Sequence, residues 1–303
     1  MPSLRSRWFR FFLRRFNFLN GSNVSLPELR RRTGISAGML RLPDKTAVRK
    51  VLAGTVPAEW VIPPDSPDDR ALLYFHGGAF IFCSLDTHRT LVARLALAGA
   101  TRALSVDYRL APEHPFPAAL EDCLAAYRFL LQSGIDPRRI VVAGDSAGGN
   151  LALALLLALR RDGDPLPAAA VCLSPVTDLV WTAESHKTKA EIDPIFPKGS
   201  ISSLRARIEA GYIGSGDPRN PLISPLYGDW RGMPPILLHV GEDEVLLDDS
   251  VRLAERVREA GGMAEVVIWP GMWHVFQVFA PFLPEACRSI DRIGIFIRDM
   301  QRQ

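Results

Sequence analysis

Along residues 71–268 the apolar positions fall into short β-branched or leucine-rich runs separated by longer stretches with helical spacing. Residues 71–75, 102–106, 139–143, 169–173, 236–240 and 264–268 read as strands. Residues 87–97, 118–131, 150–160, 246–260 and 285–300 read as helices. Residues 51–63 add two more strands, closed by the turn Pro63-Pro64-Asp65-Ser66-Pro67. This alternation predicts an α/β fold: a mostly parallel sheet with right-handed crossovers and helices on both faces. Residues 180–220 break the pattern. They are polar and rich in turn residues, with one helix over 201–212, and predict an insertion lying over one end of the sheet.

The first 20 residues follow another rule. Arg5, Arg7, Arg10, Arg14 and Arg15 are interleaved with Trp8, Phe9, Phe11, Phe12, Leu13, Phe16, Phe18 and Leu19. Wound as a helix, Trp8, Phe11, Phe12 and Phe16 share a side, and Arg7, Arg10 and Arg14 form another stripe. A helix covering a pocket, a helix lying weakly on a membrane surface and a frayed terminus all remain open. The arrangement expected is the first, with the aromatic side inward and the arginines toward solvent or the 180–220 insertion. The segment lacks the clean apolar stretch and small-residue cleavage site of a secretory signal, so a cytoplasmic protein is expected. Residues 21–50 are polar, with a helix start at Ser25-Leu26-Pro27.

Composition narrows the classes. With 303 residues, 48% hydrophobic and 23% charged, the chain is long enough for a sizeable core. A net charge of +3 gives no general pull toward nucleic acid. Cys83, Cys123, Cys172 and Cys287 are widely spaced and form no Cys-x-x-Cys, which points to reduced thiols and to no metal. The longest apolar run, residues 151–159, is a core helix and falls short of a membrane span.

Candidate chemistry collects where strands end, as ligand sites do in parallel sheets. Gly144-Asp145-Ser146-Ala147-Gly148-Gly149 lies between a strand and a helix and contains Gly-x-Ser-x-Gly. That context predicts a nucleophile elbow, with Ser146 lifted from the sheet edge and the Ala147 N–H aimed at the same space. His76-Gly77-Gly78 ends the 71–75 strand and offers the Gly77 and Gly78 N–H groups to an oxyanion. Glu242-Asp243-Glu244 follows the 236–240 strand, and His274 follows the last. The order Ser, acid, His is that of α/β-hydrolases. His274 would take the Ser146 proton, and an acid would hold the imidazole tautomer. His76 reads as a brace for its own loop, and His88, His114, His186 and His239 as core or surface residues.

Three blocks carry a family resemblance: His76-Gly77-Gly78, residues 107–119 beginning Asp107-Tyr108-Arg109-Leu110-Ala111-Pro112-Glu113-His114, and residues 144–149. The chain resembles the bacterial hormone-sensitive-lipase family of carboxylesterases over most of residues 50–303. The resemblance implies an α/β-hydrolase fold of eight strands with the second antiparallel. It implies a catalytic core of residues 51–180 and 221–303 under a helical cap of residues 1–50 and 181–220. It also implies hydrolysis of short- to medium-chain carboxylic esters without a cofactor. Ala79 stands where the family has a further glycine, and Glu244 takes the place of the family's aspartate, with Asp243 one residue earlier as the alternative acid. The reading is a serine carboxylesterase acting on small-molecule esters through an acyl-enzyme. Hydrolysis of amides, lactones or drug-like esters, and a non-catalytic small-molecule receptor, are the alternatives. A homodimer stays open.

Overall fold

The computed structural model describes residues 2–16, 24–37, 41–196 and 199–302. Its centre is an eight-stranded sheet of β1 (Ala47–Ala53), β2 (Val56–Ile62), β3 (Ala71–Phe75), β4 (Arg102–Val106), β5 (Ile140–Asp145), β6 (Ala169–Leu173), β7 (Ile236–Gly241) and β8 (Ala264–Trp269). The strands lie in the order β1-β2-β4-β3-β5-β6-β7-β8. β2 is antiparallel to β1 and β4, and the remaining pairs are parallel. The helices are α1 (Leu4–Phe16), α2 (Leu26–Ala37), α3 (Leu85–Ala98), α4 (Ala118–Gln132), α5 (Ala147–Asp162), α6 (Ser185–Thr188), α7 (Ser200–Ile208), α8 (Leu247–Glu259) and α9 (Pro284–Met300).

Side chains alternate across the sheet and build a core on each face. Leu73 and Phe75 of β3 point to the side covered by α4, α5 and α8, while Leu72 and Tyr74 point to the side of α3 and α9. α5 is buried continuously from Ala147 to Leu159, as a helix that is apolar all round must be. Truncating one of its leucines to alanine costs about 2–5 kcal/mol.

Three elements differ from expectation. β1 starts at Ala47, inside the stretch expected to belong to the cap. Its first four residues are exposed and include Arg49 and Lys50. Such an edge strand has no apolar pattern of its own, and is defined by its register against β2, from Ala47 opposite Ile62 to Ala53 opposite Val56. α5 starts at Ala147, directly after Ser146, because its two glycines fit the first turn. A Cβ on Gly144 or Gly148 would collide with the backbone of the elbow and of Phe75. The helix expected over 201–212 is α7 followed by a wide π turn over Glu209–Ile213.

α1 is helical, but it presents the opposite face. Trp8, Phe11 and Phe12 are 65%, 62% and 51% exposed, whereas Ser6 and Leu13 are buried. Phe9 packs on Trp273 and Phe279, with ring centroids 6.3 and 4.9 Å away. Polar anchors set this rotation. The Ser3 N–H donates to the buried Glu285 carboxylate at 2.6 Å, and Arg10 pairs with Asp243. Arg10 and Arg14 both donate to the Ile192 carbonyl, so these arginines do face the 180–220 insertion. Phe18, Leu19 and the side chain of Phe16 lie outside the described residues. No helix among the described residues is long and apolar enough to cross a membrane.

Candidate active site

Ser146 sits on the turn from β5 into α5 at φ 53° and ψ −117°, a conformation strained for a residue with a Cβ. The surrounding backbone holds it there. Its N–H donates to the Leu173 carbonyl at 2.9 Å, and its carbonyl accepts from Asn150 and Val176 at 3.1 and 3.2 Å. The buried Asn150 amide donates to the Val176 and Ile223 carbonyls, tying the first turn of α5 to the loop after β6.

His274 reaches this serine from the loop after β8, with Nε2 3.1 Å from Ser146 Oγ. Its Nδ1 lies 3.4 Å from Glu244 Oε1. A carboxylate only accepts, so Nδ1 carries the proton and Nε2 is left to accept from the serine hydroxyl. Burial works against a charged imidazole here. The bond to Glu244 and the charges of Glu244, Asp193 and Asp145 outweigh it and raise the His274 pKa above its ordinary value. Glu244 is fully buried, and its Oε2 accepts from Ser174 Oγ and from the Gly241 N–H, both at 2.7 Å. The alternative acid, Asp243, points elsewhere: it is half-buried between Arg10 and Lys189. The structure therefore brings Ser146, His274 and Glu244 into one line and leaves Asp243 out of it.

Beneath the elbow, the buried Asp145 carboxylate accepts from Tyr74 Oη at 2.7 Å and from the Gly77 N–H at 2.9 Å, and lies 3.1 Å from His88 Nε2. Burial would raise its pKa, but the charge and bond of His88 and the bond from Tyr74 bring it below the usual carboxylate value. The Gly77 N–H, expected to face an oxyanion, is thus committed to Asp145. A Cβ on Gly77 would collide with that carboxylate. Gly78 and Ala79, the next two residues of the loop, line the cavity beside Ser146. Ala147 opens α5, and first-turn N–H groups have no partner within their own helix. His76 braces its loop as read from the sequence: Nδ1 contacts the Gly77 carbonyl at 2.7 Å, and the ring stacks on Tyr108 at 4.4 Å. Burial, with His88 nearby, lowers its pKa to about 4, so it is neutral near pH 7.

Two apolar spaces meet at Ser146. One of about 190 Å³ is lined by Phe82, Ile195, Phe196, Leu204 and Phe279 with His274. A smaller one of about 50 Å³ lies against Trp181, Ile201, Ile208, Val245 and Leu246. The larger exceeds the roughly 150 Å³ cavity that accommodates a benzene ring. Much of the smaller wall and part of the larger one come from residues 181–196 and 201–208, which therefore cover the serine end of the sheet.

Residues 72–278 match a sequence family described by its α/β-hydrolase fold. The chain is 44% identical to an acetyl-hydrolase of Streptomyces hygroscopicus, over 82% of this chain and 81% of that one. It is 40% identical to an esterase of Mycobacterium tuberculosis, over 87% and 91%. It also superposes on the crystal structure of an esterase of the bacterial hormone-sensitive-lipase family with a TM-score of 0.93, at 43% identity and 99% coverage of both chains. The chain belongs to that family. It is a carboxylic ester hydrolase with the α/β-hydrolase fold.

Three residues near Ser146 of this esterase escaped the sequence reading. Ser174 donates to Glu244 and accepts from the Val275 N–H at 3.2 Å, bridging the acid to the loop of His274. Its signal was its place at the end of β6, another strand terminus. His88, read as a core or surface residue, lines the larger space and holds Asp145. Asp193 comes from the insertion. It is buried, takes the Ile195 N–H at 2.9 Å and the Val245 N–H at 3.4 Å, and interacts with His274 and Glu244. A lone aspartate in a polar, turn-rich stretch carries no local signal of such a place.

Proposed function

We propose that this esterase works through an acyl-enzyme on Ser146, with His274 as general base and acid and Glu244 as the residue that orients the imidazole. The observation carrying this reading is the 3.1 Å separation of His274 Nε2 from Ser146 Oγ, with Glu244 on the far side of the ring. Ser146 Oγ attacks the ester carbonyl as its proton passes to Nε2, and the imidazolium is stabilised by Glu244. The tetrahedral oxyanion is held by the N–H groups of Gly78 and Ala147, each worth about 3–4 kcal/mol of barrier. His274 then gives its proton to the departing alkoxide, which leaves as the alcohol. In the second half, His274 takes a proton from water, the hydroxide attacks the acyl-serine carbonyl, and the carboxylic acid is released as Ser146 recovers its proton.

The inner face of the segment before β1 and the 181–220 insertion act as the cap over this site, and the modest apolar spaces suit esters of short- to medium-chain acids. The base retained beside the serine favours catalysis over passive binding. Labelling with an organophosphate tests the proposal: the adduct is expected on Ser146 and is lost in Ser146→Ala. A folded Ser146→Ala enzyme keeping more than about a tenth of wild-type turnover would overturn it.

A further inference from the structure

α1 carries two unlike faces. Ser6, Phe9 and Leu13, spaced at i, i+3 and i+7, pack on the body of the protein. Leu4, Trp8, Phe11 and Phe12, spaced at i, i+4, i+7 and i+8, form an exposed stripe on the opposite side. Trp8 and Phe11 meet edge to face at 6.4 Å, as do Phe11 and Phe12 at 6.2 Å, so the stripe is continuous. Exposed arginines flank it, Arg5 on one side and Arg7 and Arg14 on the other, and exposed Arg15 closes the stripe one turn beyond Phe11. The helix holds five arginines and no acidic residue, more positive charge than the +3 of the whole chain.

From this arrangement we propose that the outer face of α1 docks the enzyme on an anionic lipid surface. Rings inserted at headgroup depth with basic side chains at their flanks are the design of a helix lying in the membrane interface. Charge decides between occupants. A second copy related by a two-fold axis would set arginine against arginine with no acid to answer it, whereas anionic headgroups neutralise the stripe. The inner face joins this surface to the site, because Phe9 packs on Phe279, a wall of the space beside Ser146. The docked helix thus lies one layer of side chains from the ester cavity.

Flotation of the full chain with phosphatidylcholine–phosphatidylglycerol vesicles, against pure phosphatidylcholine, tests the proposal. Binding is expected to the anionic vesicles, weakening as salt rises from about 0.1 to 1 M and the screening length falls from roughly 10 to 3 Å. Trp8→Ser with Phe11→Ser should abolish it. Arg5→Glu with Arg7→Glu should weaken it by at least about twenty-five-fold, at about fivefold per arginine removed. All variants should hydrolyse a soluble acetate ester at the wild-type rate, which checks their folding. The proposal is overturned by failure to bind the anionic vesicles, or by binding that neither pair of substitutions alters. It is equally overturned by a wild-type dimer that Trp8→Ser with Phe11→Ser converts to monomer, since a second copy then covers the face.

Discussion

Asp193 should make the folding stability of this esterase fall with pH, and Asp193→Asn should remove that fall. Burial, with repulsion from Glu244, pushes its carboxyl pKa up to about 7, against the pull of His274 and of two backbone N–H groups. The unfolded carboxyl loses its proton near its ordinary value of about 3.9. The folded state binds the proton more tightly, so stability contributed by the neutral form is complete below about pH 4 and is lost progressively up to about 7. The full loss, about three pH units at about 1.4 kcal/mol each, is on the order of 4 kcal/mol. Asparagine is neutral throughout. It leaves one of the two N–H groups without its acceptor, a cost of about 1 kcal/mol that does not change with pH. Urea unfolding followed by tryptophan fluorescence should therefore find the variant slightly less stable near pH 4 and about 3 kcal/mol more stable near pH 8, the crossing lying between. The direction of the pH trend is diagnostic. A difference that stays flat from pH 4 to 8, or that favours wild type increasingly as pH rises, would refute the reasoning. The same substitution removes a carboxylate that favours charged His274, so the acid limb of kcat/KM should move to lower pH.

Four further outcomes follow from the site. Glu244→Ala should reduce kcat/KM by roughly 10³–10⁴-fold, while Asp243→Ala costs less than about tenfold, as steady-state hydrolysis of a soluble ester will report. Ser174→Ala removes a hydrogen bond to a buried carboxylate and should lower kcat by about 10–100-fold with KM nearly unchanged. It should also displace the acid limb of the pH profile, which a merely structural loss would not do. In the wild-type enzyme, kcat/KM should rise with pH through a midpoint above the ordinary imidazole value of about 6.5, because the proposed base is neutral His274 and its pKa is raised. A midpoint below 6.5 measured on the same ester would contradict the assigned partners. Gly77→Ala should be recovered poorly or in misfolded form, as judged by expression and thermal melting, since its methyl would displace Asp145.

Along this chain, local pattern determined the strands, the elbow and the candidate groups at the strand ends. β3 to β7 announce themselves because each is a short apolar run buried on both faces, and burial on both faces is what composition reports, whereas β8, at the sheet edge, is apolar in sequence but half-buried or exposed in place. Ser146, His274 and an acid at Asp243 or Glu244 were legible because a parallel sheet gathers its strand ends at one edge, so residues far apart in sequence could be placed together from strand order. The glycines of the elbow were legible for a related reason: close backbone approach permits no side chain there.

What the tertiary structure decided was the choice between partners that look alike in one dimension. β1 exists because β2 offers it an edge, and exposed Arg49 and Lys50 interrupt its own apolar residues. The Gly77 N–H could serve a ligand or a side chain, and the position of Asp145 settles it. Glu244 and Asp243 are neighbours of similar chemistry. Ser174 draws one toward the buried His274, while Arg10 and Lys189 hold the other at the surface. α1 makes the same point for packing. Its most aromatic stripe faces outward because the contacts of Ser3 with Glu285 and of Arg10 with Asp243 fix the rotation of the helix. Helical spacing specifies which residues share a face. The partners across the chain, at separations of more than 200 residues, specify which face turns in.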